Sequence, residues 1–308
     1  MRVLTHVRGP VTEQVRAAVP EVEVIEIPGD GELEEGIEGE VLFTIPWNLP
    51  NLEHVLGRGV RWIHTMGTGV DRFPLDLVGE RTLTCSRGAS AVPIAEWVLA
   101  QMLAVEKRLP ESWITTGPEQ WHTAQLGGLA GQTLGLVGLG GIGAAVAARA
   151  LPFEMRVVAL RRREVPSPVA GVEQVLSLGA LLAVADHVVL TAPATPETHH
   201  LLDADAIGKV KPGVHIVNIA RGALIDQDAL RVALDGDRVG MASLDAVDPE
   251  PLPEGHWMYL HPRVHLSPHI SWSMPGASDI LVETFVGNLR RYRAGEPLEG
   301  VVDVAAGY

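Results

Sequence analysis

The sequence is short of cysteine: Cys85 is the only one among 308 residues, so no intrachain disulfide can form. That usage fits a reducing compartment, and a cytoplasmic location is expected. No run of about 18 apolar residues occurs, which removes a spanning helix. The opening "MRVLTHVRGP" lacks an apolar core of signal-peptide length. Basic charge is also short. Lys and Arg number 24 against 38 Asp and Glu, a formal net charge of −14. A phosphate backbone needs a basic surface, so nucleic acid is not an expected partner, and without a spanning run neither is a membrane. A small anionic ligand stays admissible, because a local site can differ in sign from the whole chain. Internal repeats and low-complexity tracts are absent too.

What is present is ordinary globular composition, 46% hydrophobic and 20% charged, in a chain long enough for two domains. The first ninety residues alternate short strand candidates with helical pieces. "RVLTHV", "VEVIEI", "VLFTIP" and "RWIHTM" read as strands, and "VTEQVRAAV" as a helix. The acidic "PGDGELEEGIEGE" reads as an exposed loop or short helix. "AVPIAEWVLAQMLAVEKRLP" is apolar at helical spacing for about five turns, with Pro93 in the first turn and Pro110 beyond the end. A second alternating series then begins, with strands at "QTLGLV", "RVVAL", "HVVLTAP", "VHIVNIA", "VGMASLDA" and "RVHLSPH". Asp203 and Asp226 are N-cap candidates between them, and "GASDILVETFVGNLRRYRAGEPL" is a final amphipathic helix. Strands alternating with helices predict an α/β chain with parallel sheets.

Within the second series, Gly138, Gly140 and Gly143 have G-x-G-x-x-G spacing, directly after the apolar strand Leu134–Val137 and at the start of an Ala-rich helix. In that context each glycine has a task. Gly138 permits the tight turn, Gly140 lets the backbone approach a pyrophosphate, and Gly143 allows close packing of helix on strand. The helix N-terminus then offers free N–H groups to phosphates. About 20 residues further on, where NAD-preferring folds place an acid for the ribose hydroxyls, the chain has Arg161, Arg162 and Arg163. The acid's repulsion of a 2′-phosphate is missing, and an arginine can pair with that phosphate. NADP is therefore the expected cofactor, with NAD as the alternative.

The fingerprint says nothing of the chemistry. That comes from three further segments at predicted strand ends: "VNIARGALID" with Arg221, "LDAVDPEPLP" with Asp245 and Glu250, and "HLSPHIS" with His269. Reducing a 2-keto acid needs a hydride donor, a clamp for the carboxylate and carbonyl, and a proton donor. Arginine offers a planar fork that matches a carboxylate. Histidine can give a proton near neutral pH, and a carboxylate beside it favours the imidazolium and fixes its orientation.

These motifs, in this order, make the chain resemble the D-isomer-specific 2-hydroxyacid dehydrogenase family, which includes glyoxylate/hydroxypyruvate reductases and phosphoglycerate dehydrogenases. The likeness is densest at "VPIAEW", "LAGQTLGLVGLGGIG", "PATPETHHLLDADAIGKVKPGVHIVNIARGALIDQDAL", "LDAVDPEPLP" and "SPHIS". It implies two doubly wound domains: a Rossmann dinucleotide-binding domain (91–270) inserted into a smaller flavodoxin-like substrate domain (1–90 and 271–308), with the active site in the cleft. It implies that His269 is the acid/base, Glu250 its partner and Arg221 the substrate clamp. Cofactor contacts are implied for Gly141 and Ile142 in the glycine turn, for Pro193 and Ala220, and for Asp245 on the nicotinamide carboxamide. The turn Met66, Gly67, Thr68 and Gly69 is implied to offer backbone N–H groups to the substrate carboxylate, as a nest of amides can. A homodimer is implied as well.

The implied activity is hydride transfer between NAD(P) and a small 2-keto or 2-hydroxy acid of the glyoxylate/hydroxypyruvate type. The alternatives are a dehydrogenase of 3-phosphoglycerate or a larger D-2-hydroxy acid, and a non-catalytic, NAD(P)-sensing corepressor-like protein. The retained Glu250 and His269 favour an enzyme, and Glu250 also argues against the formate dehydrogenase branch, which carries Gln there. One departure bears on substrate choice, "CSRG" where the family often has N-x-P-G; a second is "LDAV" where it has "LDxF". The end at Tyr308 leaves no appended regulatory domain in the expected architecture. Trp47 and Trp272 are candidates for a pocket lining. Adjacent His199 and His200 are expected to point apart, so no metal is expected, and Cys85 has no activating motif for a nucleophile.

Overall fold

Short stretches of aliphatic and aromatic residues build two all-parallel sheets, one in each of two compact units. The structure, a computed structural model, describes residues 1–162 and 165–308. The first unit comprises Met1–Ser90 and Met274–Tyr308, and the second Ala91–Ser273.

In the first unit the chain runs through β1 (Arg2–Thr5), α1 (Pro10–Ala18), β2 (Glu23–Glu26), β3 (Val41–Thr44), α2 (Leu52–Leu56), β4 (Trp62–Thr65) and β5 (Thr82–Cys85). The sheet order is β2-β1-β3-β4-β5, the flavodoxin-like winding. Alternation sends Val3, Val41, Phe43 and Trp62 to one face, and Leu4, Leu42, Ile63 and Leu83 to the other. A parallel sheet that is apolar on both faces needs two covers. Leu52, Val55 and Leu56 of α2 pack on the second face.

The second unit contains α3 (Ala91–Lys107), β6 (Thr133–Val137), α4 (Gly141–Ala150), β7 (Arg156–Leu160), β8 (Val172–Val175), α5 (Leu178–Leu182) and β9 (His187–Leu190). It continues with α6 (Ala204–Gly208), β10 (Val214–Asn218), α7 (Gln227–Asp235), β11 (Val239–Leu244) and β12 (Val264–Leu266). Its sheet order, β12-β11-β10-β9-β6-β7-β8, is the dinucleotide-binding winding with one more strand, β12, at the edge. Ile94, Val98 and Met102 of α3 join Val146 and Ala147 of α4 over one face; α5, α6 and α7 cover the other. Asp203 and Asp226 cap their helices, accepting from Ala206 N at 2.8 Å and from Asp228 N at 3.0 Å.

The last helix, α8 (Ala277–Ala294), joins α1, with its buried Val15, in covering the first face of the first sheet. Its Val282, Phe285, Val286 and Leu289 lie on the face of Val3, Val41, Phe43 and Trp62. Phe285 stacks on Phe43 at 4.1 Å between centroids. Beyond it, Val301 bridges to Thr84 of β5.

Inside this sheet His64 is completely buried. Its Nδ1 is 2.7 Å from Thr84 Oγ1 and its Nε2 3.2 Å from Ser86 Oγ. Burial pushes its pKa down to about 3, and burial likewise lowers that of His6 to about 4. The unfolded chain, titrating near 6.5, then binds more protons than the folded one below that pH. Stability is complete above the unfolded value and falls as the pH drops toward the folded values. His64 contributes up to about 1.4 kcal/mol per pH unit to this slope. Urea unfolding at pH 7, 6 and 5 should show that loss, with a shallower slope in His64→Gln; equal slopes would refute the assignment.

Candidate functional site

All strands of the second sheet run the same way, so residues just past their C-terminal ends share one edge. Gly138 follows β6, Arg161 follows β7, Pro193 comes after β9, Ala220 and Arg221 after β10, Asp245 and Glu250 after β11, and His269 after β12.

The glycine turn is built by close approach. Gly138 has φ 106°, a conformation that favours glycine, and a Cβ there would lie 2.9 Å from Thr191 Oγ1. A Cβ on Gly143 would come within 2.6 Å of the Gly138 carbonyl oxygen. Gly140 differs: a Cβ there would meet nothing within 4 Å, so the space above this backbone is open. Gly141 and Ile142 begin α4, whose N-terminus has no side-chain cap. An open approach to uncapped amides fits a pyrophosphate. Thr191, not singled out by the sequence reading, fixes the turn by donating to Gly138 O at 2.8 Å.

At the end of β7, Arg161 is turned onto its own loop. Its Nη1 donates to Val165 O at 3.1 Å and to Pro166 O at 2.8 Å. Arg162 is exposed. Arg163 lies outside the described residues.

At the other side of the sheet, β10, β11 and β12 are neighbours and bring three segments together. His269 Nδ1 lies 3.0 and 3.1 Å from the two oxygens of Glu250. A carboxylate only accepts, so Nδ1 carries the proton of this bond, and Nε2 is the ring atom that can exchange a proton with a ligand. Glu250 Oε1 also accepts the Val247 N–H at 3.2 Å. Arg221 starts the turn after β10, and its Nη1 donates to Ala220 O at 2.8 Å.

Two residues join the Arg221 segment to the Glu250 loop, and the sequence reading missed both. Buried Asn218 donates from Nδ2 to Arg221 O (2.9 Å) and to Ala246 O (3.2 Å), and accepts from Ala220 N (3.0 Å). At Gly222 a Cβ would lie 1.9 Å from the Val247 carbonyl carbon, so only glycine fits. The "RG" of "ARGALID" was the available signal.

Asp245 is 2% exposed. Its Oδ1 accepts from Ser267 Oγ at 2.5 Å and from Ile270 N at 2.8 Å, and its Oδ2 from Ser271 N at 2.9 Å. It grips the segment that carries His269. His269 itself has φ +56°, left-handed backbone that is unfavourable for a non-glycine residue by roughly 1–2 kcal/mol. Trp272 Nε1 donates to its carbonyl oxygen at 2.9 Å.

Other candidates are placed differently. Met66, Gly67, Thr68 and Gly69 follow β4 and belong to the first unit; Gly67 has φ 123° and its carbonyl accepts from Ser86 N at 2.8 Å. Trp47 is an exposed residue of that unit. His199 and His200 do not point apart. His200 has φ +49°, and the rings stack with centroids 4.0 Å apart. Among the described residues no group of three or more His, Cys, Asp or Glu could hold a metal ion. Cys85 is buried, and that burial pushes its thiol pKa up. No helix among the described residues is long and apolar enough to cross a membrane.

Residues 99–271 match the family model described as D-isomer specific 2-hydroxyacid dehydrogenase, NAD binding domain. The chain is 33% identical over 307 residues to D-3-phosphoglycerate dehydrogenase of Mycobacterium bovis, covering 98% of this chain and 55% of that protein. It thus spans about half the length of that relative. It is 34% identical over 201 residues to hydroxypyruvate reductase of Thermotoga maritima, covering 63% of this chain and 64% of the relative. Among solved structures, a D-isomer specific 2-hydroxyacid dehydrogenase from Xanthobacter autotrophicus Py2, in complex with NADPH and MES, superposes with TM-score 0.86 at 27% identity. That match covers 100% of this chain and 99% of the other.

Proposed function

This chain belongs to the D-isomer specific 2-hydroxyacid dehydrogenase family, and on that premise we propose that it reduces small 2-keto acids of the glyoxylate or hydroxypyruvate type to 2-hydroxy acids. The observation that carries this reading is His269, at a strand end, held through Nδ1 on Glu250. In that arrangement Nε2 gives its proton to the carbonyl oxygen of the keto acid. Glu250 keeps the ring in one orientation and stabilises the imidazolium. Arg221 binds the keto-acid carboxylate and carbonyl through its planar fork. The bound nicotinamide supplies the hydride. The open backbone at Gly140 and the first turn of α4, with Gly141 and Ile142, support a pyrophosphate; Pro193, Ala220 and Asp245 follow strand ends on the same edge. The turn Met66–Gly69 keeps the reading of an anion-holding nest in its own unit.

For the cofactor, the position directly after β7 carries Arg161 rather than an acid, followed by Arg162. The position itself carries no acid to repel a 2′-phosphate, and NADP is our preferred assignment over NAD. The bonds from Arg161 to Val165 and Pro166 both use Nη1, so that among the described residues the guanidinium's other edge is left to a phosphate. A homodimer in the cytoplasm completes the proposal.

One assay tests the reading. Purified protein is given NADPH or NADH with glyoxylate, hydroxypyruvate, pyruvate and larger 2-keto acids, and in the reverse direction with 3-phosphoglycerate. Reduction of the first two is expected, with kcat/KM at least about tenfold higher for NADPH, the scale of one charge-assisted hydrogen bond. Turnover of 3-phosphoglycerate alone would favour the second reading, which the Mycobacterium bovis relative's name suggests. No turnover with any compound would favour a non-catalytic sensor.

A further inference from the structure

The proposed proton donor sits in a backbone conformation that needs outside support, since φ at His269 is +56°. Support comes from two directions and converges on one peptide group. The carbonyl oxygen of His269 accepts the indole N–H of Trp272 at 2.9 Å. The N–H on the other side of the same peptide bond, that of Ile270, is donated to Asp245 Oδ1 at 2.8 Å. Ser271 N, donated to Asp245 Oδ2 at 2.9 Å, extends the hold by one residue. A peptide plane gripped at both ends cannot rotate, so ψ of His269 is fixed. The direction of the imidazole follows from that backbone, because the ring must meet Glu250 through Nδ1 while keeping Nε2 toward a ligand.

We propose that Trp272 is a positioning residue for the reaction: its indole N–H, opposite Asp245, locks the His269–Ile270 peptide plane and so aims the imidazole of His269. The inference rests on the catalytic reading of His269 given above. It concerns the indole N–H rather than the ring's bulk. Trp272 is 42% exposed, so its side chain is not a core filler whose loss would leave a cavity. The other half of the grip, Asp245, is buried and accepts from three donors, which fits a fixed anchor opposite Trp272.

The test uses two replacements of Trp272 in the full chain: Trp272→Phe, and the isosteric β-(3-benzothienyl)alanine, which keeps the bicyclic shape but has sulfur in place of N–H. Both should lower kcat by about 5–50-fold, the range from one lost hydrogen bond to a misaimed catalytic group. KM for keto acid and cofactor should stay within about twofold, with the melting temperature nearly unchanged. A second readout needs no turnover. In ligand-free, 15N-histidine-labelled protein, the wild-type His269 ring should show one tautomer, protonated at Nδ1, and both variants a mixture. Wild-type kcat and a single tautomer in both variants would overturn the proposal. So would a loss with phenylalanine that the benzothienyl residue restores, because shape and not the N–H would then be responsible. His269→Gln is run alongside. If that variant is fully active, the catalytic reading fails, whereas the tautomer measurement still reports whether Trp272 holds the ring.

Discussion

His269→Gln is expected to lower the rate of keto-acid reduction by roughly 10²–10⁴-fold, the usual effect of losing a positioned general acid. Glutamine can still donate a hydrogen bond to Glu250, so the loop between β11 and β12 keeps a partner and the fold should persist. It cannot deliver a proton. Cofactor affinity, read by fluorescence titration, should change little, because the glycine turn after β6 lies on different strands of the sheet. Retention of more than half the wild-type rate at neutral pH would remove His269 from the mechanism.

Arg221→Lys keeps the charge and is nevertheless expected to reduce kcat/KM by about 10–100-fold, the equivalent of one charge-assisted hydrogen bond lost from a two-point contact. An ammonium is a point charge and cannot present two parallel N–H groups to a carboxylate and its neighbouring carbonyl. The backbone of this segment is set by Asn218 and by the fit of Gly222 against Val247, neither of which the substitution touches. The loss should therefore appear without a change in unfolding midpoint. Kinetics within twofold of wild type would make Arg221 an ordinary surface cation.

Most strands of both sheets are readable in the chain because they carry their apolar character in the strand itself, four or five residues at a time, while their winding was implied only by the resemblance. Three elements escaped for physical reasons. β8, "VEQV", is an edge strand with Glu173 and Gln174 exposed, so it has no apolar run to find. β5, "TLTC", places only Leu83 and Cys85 in the apolar core. α2 has five residues, too few for a helical period to repeat. The site divides in the same way. Arg221, Glu250 and His269 stand in recognisable motifs, whereas Gly222, Asn218 and Trp272 matter through contacts that only the register of strands and loops creates. The same holds for His187 and His215, buried cross-strand neighbours whose Nδ1 atoms are 3.1 Å apart. Nothing in "HVVL" or "VHIVN" announces that pairing, since a slip of one residue would turn one ring to the other face. His199 and His200 show the converse: alternation predicts opposite directions, and the left-handed backbone at His200 overrides it.

The division of the first unit between the two ends of the chain has a consequence for biosynthesis. Its β-sheet is translated at the start, yet α8, which covers Val3, Val41, Phe43 and Trp62, follows the whole of the second unit. At typical elongation rates the ribosome needs roughly 10–40 s to make that intervening stretch. Throughout this interval that sheet face has α1, with Val15, as a cover but lacks α8. The nascent chain should therefore keep some apolar surface, of the kind chaperones recognise, exposed until Phe285 is made and stacks on Phe43.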